Sequence, residues 1–326
     1  MDWTINPYSG CGFACTFCFG RGLTRDADFA TTIGAKLDAP ARLRDQLQQL
    51  RRRGVSWPRV RVGSATDPYQ PLERELRLTR ALLEVLADHG GVHVEVCTRS
   101  LFVSDDLELL HELDRRGSAR VCVGISSAPR EVAVALEPGV PSARERLELV
   151  ERLARAGLTV GVEASPLLPG LGDDPRAMRQ LVVAALQAGA GYLRGALLRL
   201  PERAREAFLG WLAAAHPEQT GRYERLYRRR GPWAPRRAEE RIQLTLGALR
   251  RQYRLPEALP WPARSAQDDP LADRTSLTAG SAPAERVAGG RLSGGRVSDG
   301  LVPGLERGRR LPRAADPRQI TLFEAA

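Results

Sequence analysis

Apolar and polar positions follow two different periods along the first two-thirds of the chain. Six short runs with apolar residues at about every second position predict strands: DWTIN, RVRVGS, VHVEVC, ARVCVGI, LTVGVEA and YLRGALL. Between them lie stretches with leucines three and four apart, such as RERLELVERLARAG, which predict amphipathic helices. Five helical stretches end at a glycine, the expected stop: Gly54, Gly90, Gly117, Gly157 and Gly189. Six strand–helix units predict a parallel sheet with right-handed crossovers.

The two faces of the predicted strands differ in character. In VHVEVCTR the valines share one face, whereas His93, Glu95, Cys97 and Arg99 share the other, and VCVGIS and VGVEAS repeat the pattern. An open doubly wound sheet would be apolar on both faces, because helices cover both. One aliphatic face and one small or polar face instead favour a partial or complete (β/α)6 TIM-like barrel, with helices outside and a functional lumen inside.

The pattern changes after the sixth strand and again near residue 255. We predict a barrel over residues 1–200, a basic helical extension over residues 201–255 and a tail over residues 256–326. The tail contains SLTAGSAPAERVAGGRLSGGRVSDGLVPG, which has no apolar period. Such a stretch cannot bury enough surface to offset chain entropy, so we expect the tail to be disordered.

Composition narrows the class of protein. No stretch approaches the roughly 18 to 20 apolar residues of a membrane span. The segment MDWTINPYSG has neither a basic n-region nor an apolar h-region, so we expect no export signal and no membrane partner. Five cysteines, three of them crowded together, do not resemble a disulfide framework. A reducing, cytoplasmic setting is therefore expected.

The crowded cysteines stand in CGFACTFC, at Cys11, Cys15 and Cys18. Clustered thiolates bind soft metals, which leaves zinc or an iron–sulfur cluster. A structural zinc site needs a fourth ligand, and an electron-transfer cluster takes four cysteines. Three thiolates on a four-iron cluster would leave one iron open, as catalytic metals require. The loop follows the first strand, so it lies at the barrel mouth where active sites form. Structural zinc and a chance spacing remain the alternatives.

The spacing C-x3-C-x2-C after a first strand resembles that of the radical S-adenosylmethionine (radical SAM) enzymes. The resemblance implies a [4Fe-4S] cluster held by the three cysteines, S-adenosylmethionine on the open iron, and Phe17 beside the adenine. Four segments, one of which contains the three cysteines, resemble the DNA-photolyase-like branch that includes spore photoproduct lyase, over about residues 2–250. These segments are NPYSGCGFACTFCF, GSATDPYQPLERELRLTR, PLLPGLGDD and LLRLP.

The resemblance also implies further site residues. By position, Thr66, Asp67, Arg99 and Ser126 match the cofactor-contacting region, although Arg99 stands where relatives usually carry lysine. Spore photoproduct lyase returns a hydrogen atom to its product radical from a cysteine, and the matching residue here is Ser64. A serine O–H bond is too strong to donate hydrogen usefully, so repair by that same route is not expected.

Two other residues are candidates for catalysis. Cys97 faces the lumen, as does Cys122, and either could replace the missing hydrogen donor; the alternative is that both are small core residues below the site. Glu163 lies on the inward face of the fifth strand, where a carboxylate would touch cofactor or substrate. A solvated place at the rim is the alternative for Glu163, and the same two readings apply to Arg199.

The basic charge is concentrated in one segment. Residues 194–254 hold 15 Lys and Arg against 6 Asp and Glu, whereas residues 1–193 hold 24 of each. Arginines with aromatic residues can bind phosphates and stack on unpaired bases, so the segment is a candidate for binding nucleic acid. A solvated amphipathic helix is the alternative. The candidate residues are Arg228, Arg229, Arg230 and Trp233, with Tyr223, Tyr227 and Tyr253 nearby.

Partners and function follow as expectations. The pentapeptide QITLF, from Gln319 to Phe323, resembles the peptide by which bacterial repair proteins bind the sliding clamp. The family resemblance implies an electron donor of flavodoxin or ferredoxin type and hydrogen abstraction by a 5′-deoxyadenosyl radical, with DNA lesion repair as the leading use. The alternatives are an enzyme that modifies RNA or a small molecule, and a non-enzymatic nucleic-acid-binding iron–sulfur protein.

Overall fold

The computed structural model describes residues 3–22, 29–228, 232–262 and 324–325. The strands are β1 Trp3–Ile5, β2 Tyr8–Ser9, β3 Gly34–Ala35, β4 Arg59–Val62, β5 His93–Thr98, β6 Ser118–Ile125, β7 Thr159–Leu167, β8 Tyr192–Leu197 and β9 Glu324–Ala325. The helices are α1 Ala39–Arg52, α2 Glu73–Leu76, α3 Leu78–His89, α4 Leu107–Arg116, α5 Arg130–Leu136, α6 Ala143–Arg155, α7 Pro175–Gln187, α8 Glu202–Ala215, α9 Pro217–Leu226 and α10 Arg236–Tyr253. Two 3₁₀ turns cover Phe19–Gly22 and Leu101–Asp106.

All six predicted strands are present in one sheet. Its order is β8-β7-β6-β5-β4-β1, parallel throughout and in chain order, with β9 added antiparallel at the free edge of β1. A sheet that adds each strand on the same side has no reversal of strand order, so its crossovers turn in one sense and the sheet curls. Within the described residues β1 and β8 do not pair, which makes the fold a partial (β/α)6 barrel.

The aliphatic face of the strands packs against the outer helices, as the alternation predicts. Val94 and Val96 of β5, Val121 and Val123 of β6 and Val162 of β7 are completely buried in one cluster with the helix leucines. Burying a side chain of this size stabilises the fold by about 1.5–3 kcal/mol. The helix layer therefore fixes the barrel wall, and the opposite face is left for polar and small residues.

Glycines end the helices by two different means. Gly54, Gly90, Gly157 and Gly189 have φ between +65° and +88°, the left-handed conformation that the sequence predicts. Gly117 differs, since its φ is −156°. A Cβ on Gly117 would lie 2.2 Å from the carbonyl oxygen of Val92, so glycine is required there by close backbone approach.

The C-terminal extension is built onto the barrel. Helix α10 packs against α7 and β8, while α8 and α9 pack on each other near the turn Phe19–Gly22. Residues 256–262 also belong to this body: Leu193 N donates to Pro256 O at 2.9 Å, and Trp261 stacks on His93 with ring centroids 5.0 Å apart. The folded part thus continues beyond the predicted boundary at residue 255, because a backbone hydrogen bond at Pro256 and the ring contact of Trp261 hold this segment, and a search for periodicity misses both.

The rest of the predicted tail, residues 263–323 and 326, lies outside the described residues, and for β9 only the strand pairing is described. No helix in the described part of the chain combines the length and the apolar character needed to cross a membrane.

Candidate active site

The cysteine loop follows β2 and is held in place by side chains from neighbouring loops. Gln70 Nε2 donates to Gly10 O at 3.1 Å, and its Oε1 accepts from Gly12 N at 2.8 Å. Arg21 donates to the carbonyl oxygen of Cys15 at 3.1 Å and also to that of Ala14. Because these bonds tie the loop backbone on both sides, the positions of its thiols are set by tertiary structure.

The three predicted cluster ligands line one cavity, where Cys11 and Cys15 are buried and Cys18 is half-buried. Burial raises the pKa of Cys11 to about 12 and also raises the pKa values of Cys15 and Cys18. Neighbouring thiols add to the rise in the pKa values of Cys11 and Cys15. The guanidinium of Arg99 acts in the opposite direction on Cys15 and Cys18. Metal binding at this loop must therefore release protons from thiols that are neutral at pH 7.

A cavity of about 560 Å³ opens at the carboxyl end of the barrel strands. It brings together most of the predicted site residues, namely Cys11, Cys15, Phe17, Cys18, Thr66, Asp67, Cys97, Arg99 and Glu163, and also Ser64, Cys122 and Arg199. Ser126 is not in the lining: its hydroxyl donates to Pro166 O and accepts from Ala128 N, both at 3.2 Å. Ser126 instead connects the loop after β6 to the C-terminal end of β7.

The donor set of this cavity suits an iron–sulfur cluster. Three thiols occupy one wall, and residues 10–22 of the loop carry no carboxylate that would compete with them. Within the described residues, no three Cys, His, Asp or Glu side chains meet around a point that one metal ion could fill. Ligands to a four-iron cluster bind separate irons, so their sulfurs need not meet at one point.

The loop after β4 is shaped by buried polar contacts. Both carboxylate oxygens of Asp67 are engaged, because Oδ1 accepts from Thr98 Oγ1 at 2.6 Å and from Tyr69 N at 2.9 Å, and Oδ2 accepts from Arg99 N at 2.7 Å. Burial raises the pKa of Asp67, and these donors oppose the rise. Thr66 Oγ1 donates to Tyr8 O at 3.0 Å. The two side chains hold the loop, which leaves its backbone to face the cavity.

Arg99 extends over the cavity beside the cysteine loop. Its guanidinium carbon lies 5.7 Å from the ring centroid of Phe17, Nη2 donates to Ser165 O at 2.8 Å, and Nε is 3.7 Å from a carboxylate oxygen of Glu137. Nη1 is buried and has no hydrogen-bond partner in the described structure. A Cβ on Gly124 would lie 2.2 Å from this nitrogen, so glycine leaves the space it occupies. Nη1 is thus a donor available to a bound cofactor.

The floor of the lumen holds a buried ion network that sequence reasoning missed. Glu95 is completely buried and lies within 3.0 Å of Arg61, Arg120 and Arg194, and it also accepts from Tyr192 Oη at 3.1 Å. Burial opposes ionisation of Glu95, but the three guanidinium groups overcome it and lower its pKa to about 2. The sequence did contain a signal for this network. Arg61 in β4, Arg120 in β6 and Arg194 in β8 each occupy a position on the inward face of their strand, as Glu95 does in β5.

Arg194 links this floor to the two predicted catalytic residues. Its Nε donates to Glu163 Oε1 at 2.9 Å, and Nη2 lies 3.4 Å from Cys97 Sγ. Cys97 pairs in register with Cys122 on the neighbouring strand, and both line the cavity. The two cysteines therefore face the lumen, as the alternation predicts, and Cys97 is open to the site.

The aromatic residues of the basic segment divide into two groups. Tyr223 and Tyr227 are at most 1% exposed, so the expectation that they stack on bases is wrong; their rings pack in the apolar cluster of α8 and α9. Tyr253 is half-buried and accepts from Arg179 Nε at 2.7 Å. Trp233, in contrast, is 55% exposed.

The arginines of the basic segment are divided in the same way. Several pair with acidic residues: Arg236 with Glu240, Arg241 with Asp173 and Arg250 with Glu257. Arg228 is exposed, whereas Arg229, Arg230 and the pentapeptide QITLF from Gln319 to Phe323 lie outside the described residues. Much of the positive charge on α10 is thus locally balanced, and the candidates that remain lie between α9 and α10.

Comparisons with known proteins agree with this geometry. The family model of the Radical SAM superfamily matches residues 5–182. The uncharacterized protein Rv2578c of Mycobacterium tuberculosis is 33% identical over 261 residues, which span 78% of this chain and 75% of that protein. The uncharacterized protein ORF301 of Acidianus two-tailed virus is 29% identical over 177 residues, 51% of this chain and 56% of its own.

A solved structure shares the fold. It is a spore photoproduct lyase mutant with bound AdoMet and dinucleoside spore photoproduct, with a TM-score of 0.58, 18% identity, and coverage of 77% of this chain and 73% of that one. At this identity the likeness concerns the fold.

Proposed function

Because this chain belongs to the radical SAM superfamily, we propose that it abstracts a hydrogen atom from a nucleotide of DNA, as a step in the repair of a lesion. As a radical SAM enzyme it uses a [4Fe-4S] cluster and S-adenosylmethionine and needs a reductant. The observation that carries the proposal is the set of three cysteines, two buried and one half-buried, on the wall of a cavity at the barrel mouth.

The cysteine loop is the proposed cluster site. Cys11, Cys15 and Cys18 would hold three irons and leave the fourth for S-adenosylmethionine. When bound, the cluster supplies one electron, received from a donor of flavodoxin or ferredoxin type, to break the S–C5′ bond of S-adenosylmethionine into methionine and a 5′-deoxyadenosyl radical. The buried loop backbone excludes water from this wall of the cavity, and that exclusion protects a radical from side reactions.

Four residues are proposed to hold the cofactor. Phe17 offers a ring next to the cysteines, and Arg99 offers the unpaired Nη1 donor above that ring. Thr66 and Asp67 act by holding the loop after β4, so that its backbone groups line the cavity. Ser126 acts indirectly in this scheme, since it ties the loop after β6 to β7 through Pro166.

Cys97 and Glu163 are the proposed catalytic residues. Cys97 would give the hydrogen atom of its S–H bond to the substrate carbon radical, which leaves a thiyl radical. One electron from the external donor and one proton then restore the thiol. Glu163, held by Arg194, would contact the substrate or the methionine part of the cofactor at the cavity rim.

Two lines of support favour DNA as the substrate. The chain shares its fold with a spore photoproduct lyase solved with a dinucleoside spore photoproduct. The positive charge is concentrated in residues 194–254, and phosphate binding depends on such charge. Enzymes that act on bases in a duplex must expose them at a cost of a few kcal/mol, so binding groups beside the cavity mouth are needed.

Isotope transfer tests the substrate class. The anaerobically reconstituted enzyme would be given dithionite, S-adenosylmethionine and deuterated oligonucleotides that carry thymine photoproducts, with matched undamaged DNA and RNA as controls. We expect deuterium in 5′-deoxyadenosine from damaged DNA. The proposal would be contradicted if 5′-deoxyadenosine formed but acquired deuterium from none of the DNA substrates. Deuterium transfer from RNA alone would contradict it as well.

The pentapeptide QITLF is a separate proposal about a partner. Replacing Leu322 and Phe323 with Ala should abolish binding to purified sliding clamp, because these two side chains are the apolar anchors, and should leave DNA affinity unchanged. Titration of labelled clamp against the parent and this variant measures the difference. Absence of binding in the parent would show that the resemblance of QITLF to a clamp-binding peptide is a coincidence.

A further inference from the structure

Arg199 differs from the other arginines that line the cavity. Arg61 and Arg194 are paired with Glu95, and Arg99 lies beside Glu137. The guanidinium of Arg199 has neither an acidic partner nor a hydrogen-bond acceptor in the part of the chain that the structure describes. Arg199 is also exposed, directly after β8 at the cavity mouth.

Two aromatic rings lie close to this guanidinium. Its central carbon lies 3.9 Å from the ring centroid of Trp233 and 5.9 Å from that of Phe19. Phe19 follows Cys18, so one ring comes from the cysteine loop and the other from the C-terminal extension. Stacking on rings stabilises an arginine without using its N–H donors, which leaves these donors for a ligand.

The extension is tied to the cavity mouth at this point. Leu200 N donates to Pro232 O at 2.8 Å, and Tyr227 Oη donates to Leu198 O at 2.7 Å. These bonds hold the chain on both sides of Arg199 against the segment that carries Trp233. The indole of Trp233 is 55% exposed, so part of it remains accessible next to this arginine.

We propose that Arg199 and Trp233 form a nucleotide clamp at the cavity mouth, in which the free indole face stacks on an unpaired base and Arg199 binds the adjoining phosphate. The inference rests on the proposed function and names the residues that would hold its substrate. A nucleic-acid strand is large for a cavity of about 560 Å³ that would also hold the cluster and S-adenosylmethionine, so in this proposal the strand lies across the mouth. Base stacking with an arginine–phosphate contact is the usual way to hold an unpaired nucleotide.

Binding of a fluorescein-labelled ten-nucleotide strand to the reconstituted enzyme tests the clamp, with DNA and RNA strands as separate arms. Trp233→Ala should weaken binding about tenfold, because base–aromatic stacking of this kind is lost. Trp233→Phe should recover most of the affinity. Arg199→Gln should weaken binding about fivefold and lower the slope of log affinity against log salt by about 1, and Arg199→Lys should keep the slope.

Arg237→Gln is the matched control, since Arg237 is exposed in the same basic segment, away from the cavity lining, and its loss changes the net charge by the same amount. Equal losses for Arg199→Gln and Arg237→Gln, or unchanged affinity in Trp233→Ala, would overturn the clamp. If the parent binds no strand, the clamp is also wrong. The deuterium-transfer assay reports separately on the proposed function, so a clamp can fail while hydrogen abstraction from DNA stands. Iron–sulfur absorbance confirms that each variant is folded and loaded.

Discussion

Replacement of the buried Glu95 tests how much its ion network with three arginines stabilises the fold. Replacing it with Gln keeps the size of the side chain but leaves Arg61, Arg120 and Arg194 without their shared counter-charge. The pKa of Glu95 falls from 4.5 to about 2 on folding. At about 1.36 kcal/mol per pKa unit this corresponds to about 3 kcal/mol of stability at pH 7. Removal of one partner of a buried ion pair costs a similar amount, about 3–5 kcal/mol.

Thermal unfolding of Glu95→Gln beside the parent measures this loss. A decrease of about 3 kcal/mol should lower the Tm by roughly 6–12 °C for a domain of this size. Glu163→Gln is the matched control, because Glu163 is half-exposed and meets only Arg194 among these arginines, so its loss should cost about 1 kcal/mol or less.

The pH dependence has a defined sign. The pKa of Glu95 is lower in the folded chain than in the unfolded chain, so its contribution is complete above about pH 4.5 and is lost as the pH falls towards 2. The difference between parent and Glu95→Gln should therefore narrow by about 1 kcal/mol from pH 7 to pH 4. A variant as stable as the parent at pH 7, or a difference that widens in acid, would refute the reasoning.

Three further outcomes are expected. Cys15→Ala should remove the iron–sulfur absorbance near 400 nm while Cys122→Ala keeps it, as measured by iron content and ultraviolet–visible spectra; a cluster that requires Cys122 would refute the three-ligand scheme. Gly124→Ala should displace the Arg99 guanidinium, because the new Cβ would be 2.2 Å from its Nη1. Equilibrium dialysis should then show S-adenosylmethionine binding weakened by about tenfold or more. Unchanged affinity would show that Arg99 does not contact the cofactor. Changing residues 228–230 to Gln should reduce the slope of log DNA affinity against log salt concentration, since fewer counterions are released. An unaltered slope would mean that these arginines are solvated and do not contact DNA.

The strands and the cysteine site could be predicted because their signals are local. Alternation along VHVEVC assigns Cys97 and Val96 to opposite faces, and the structure puts Cys97 in the cavity and Val96 in the helix-packed core. The C-x3-C-x2-C spacing likewise lies within one loop, so its position after β1 follows from the order of elements.

Contacts between distant segments could not be predicted in this way. Glu95 meets Arg194 across 99 positions of sequence, and Arg120 donates to Leu259 O across 139 positions, so no window of sequence contains both partners. The tyrosines of the basic segment show the same difficulty. Tyr223 lies among charged residues along the chain, but tertiary packing of α9 on α8 buries it.

We infer that this chain cleaves S-adenosylmethionine at a cluster held by Cys11, Cys15 and Cys18. The direct measurement is the amount of 5′-deoxyadenosine formed by the anaerobically reconstituted protein with dithionite and S-adenosylmethionine, beside the Cys15→Ala variant carried through the same reconstitution. We expect the parent to form 5′-deoxyadenosine and the variant to form only the background amount. Background levels in both, with the parent fully loaded with iron and sulfide, would contradict it.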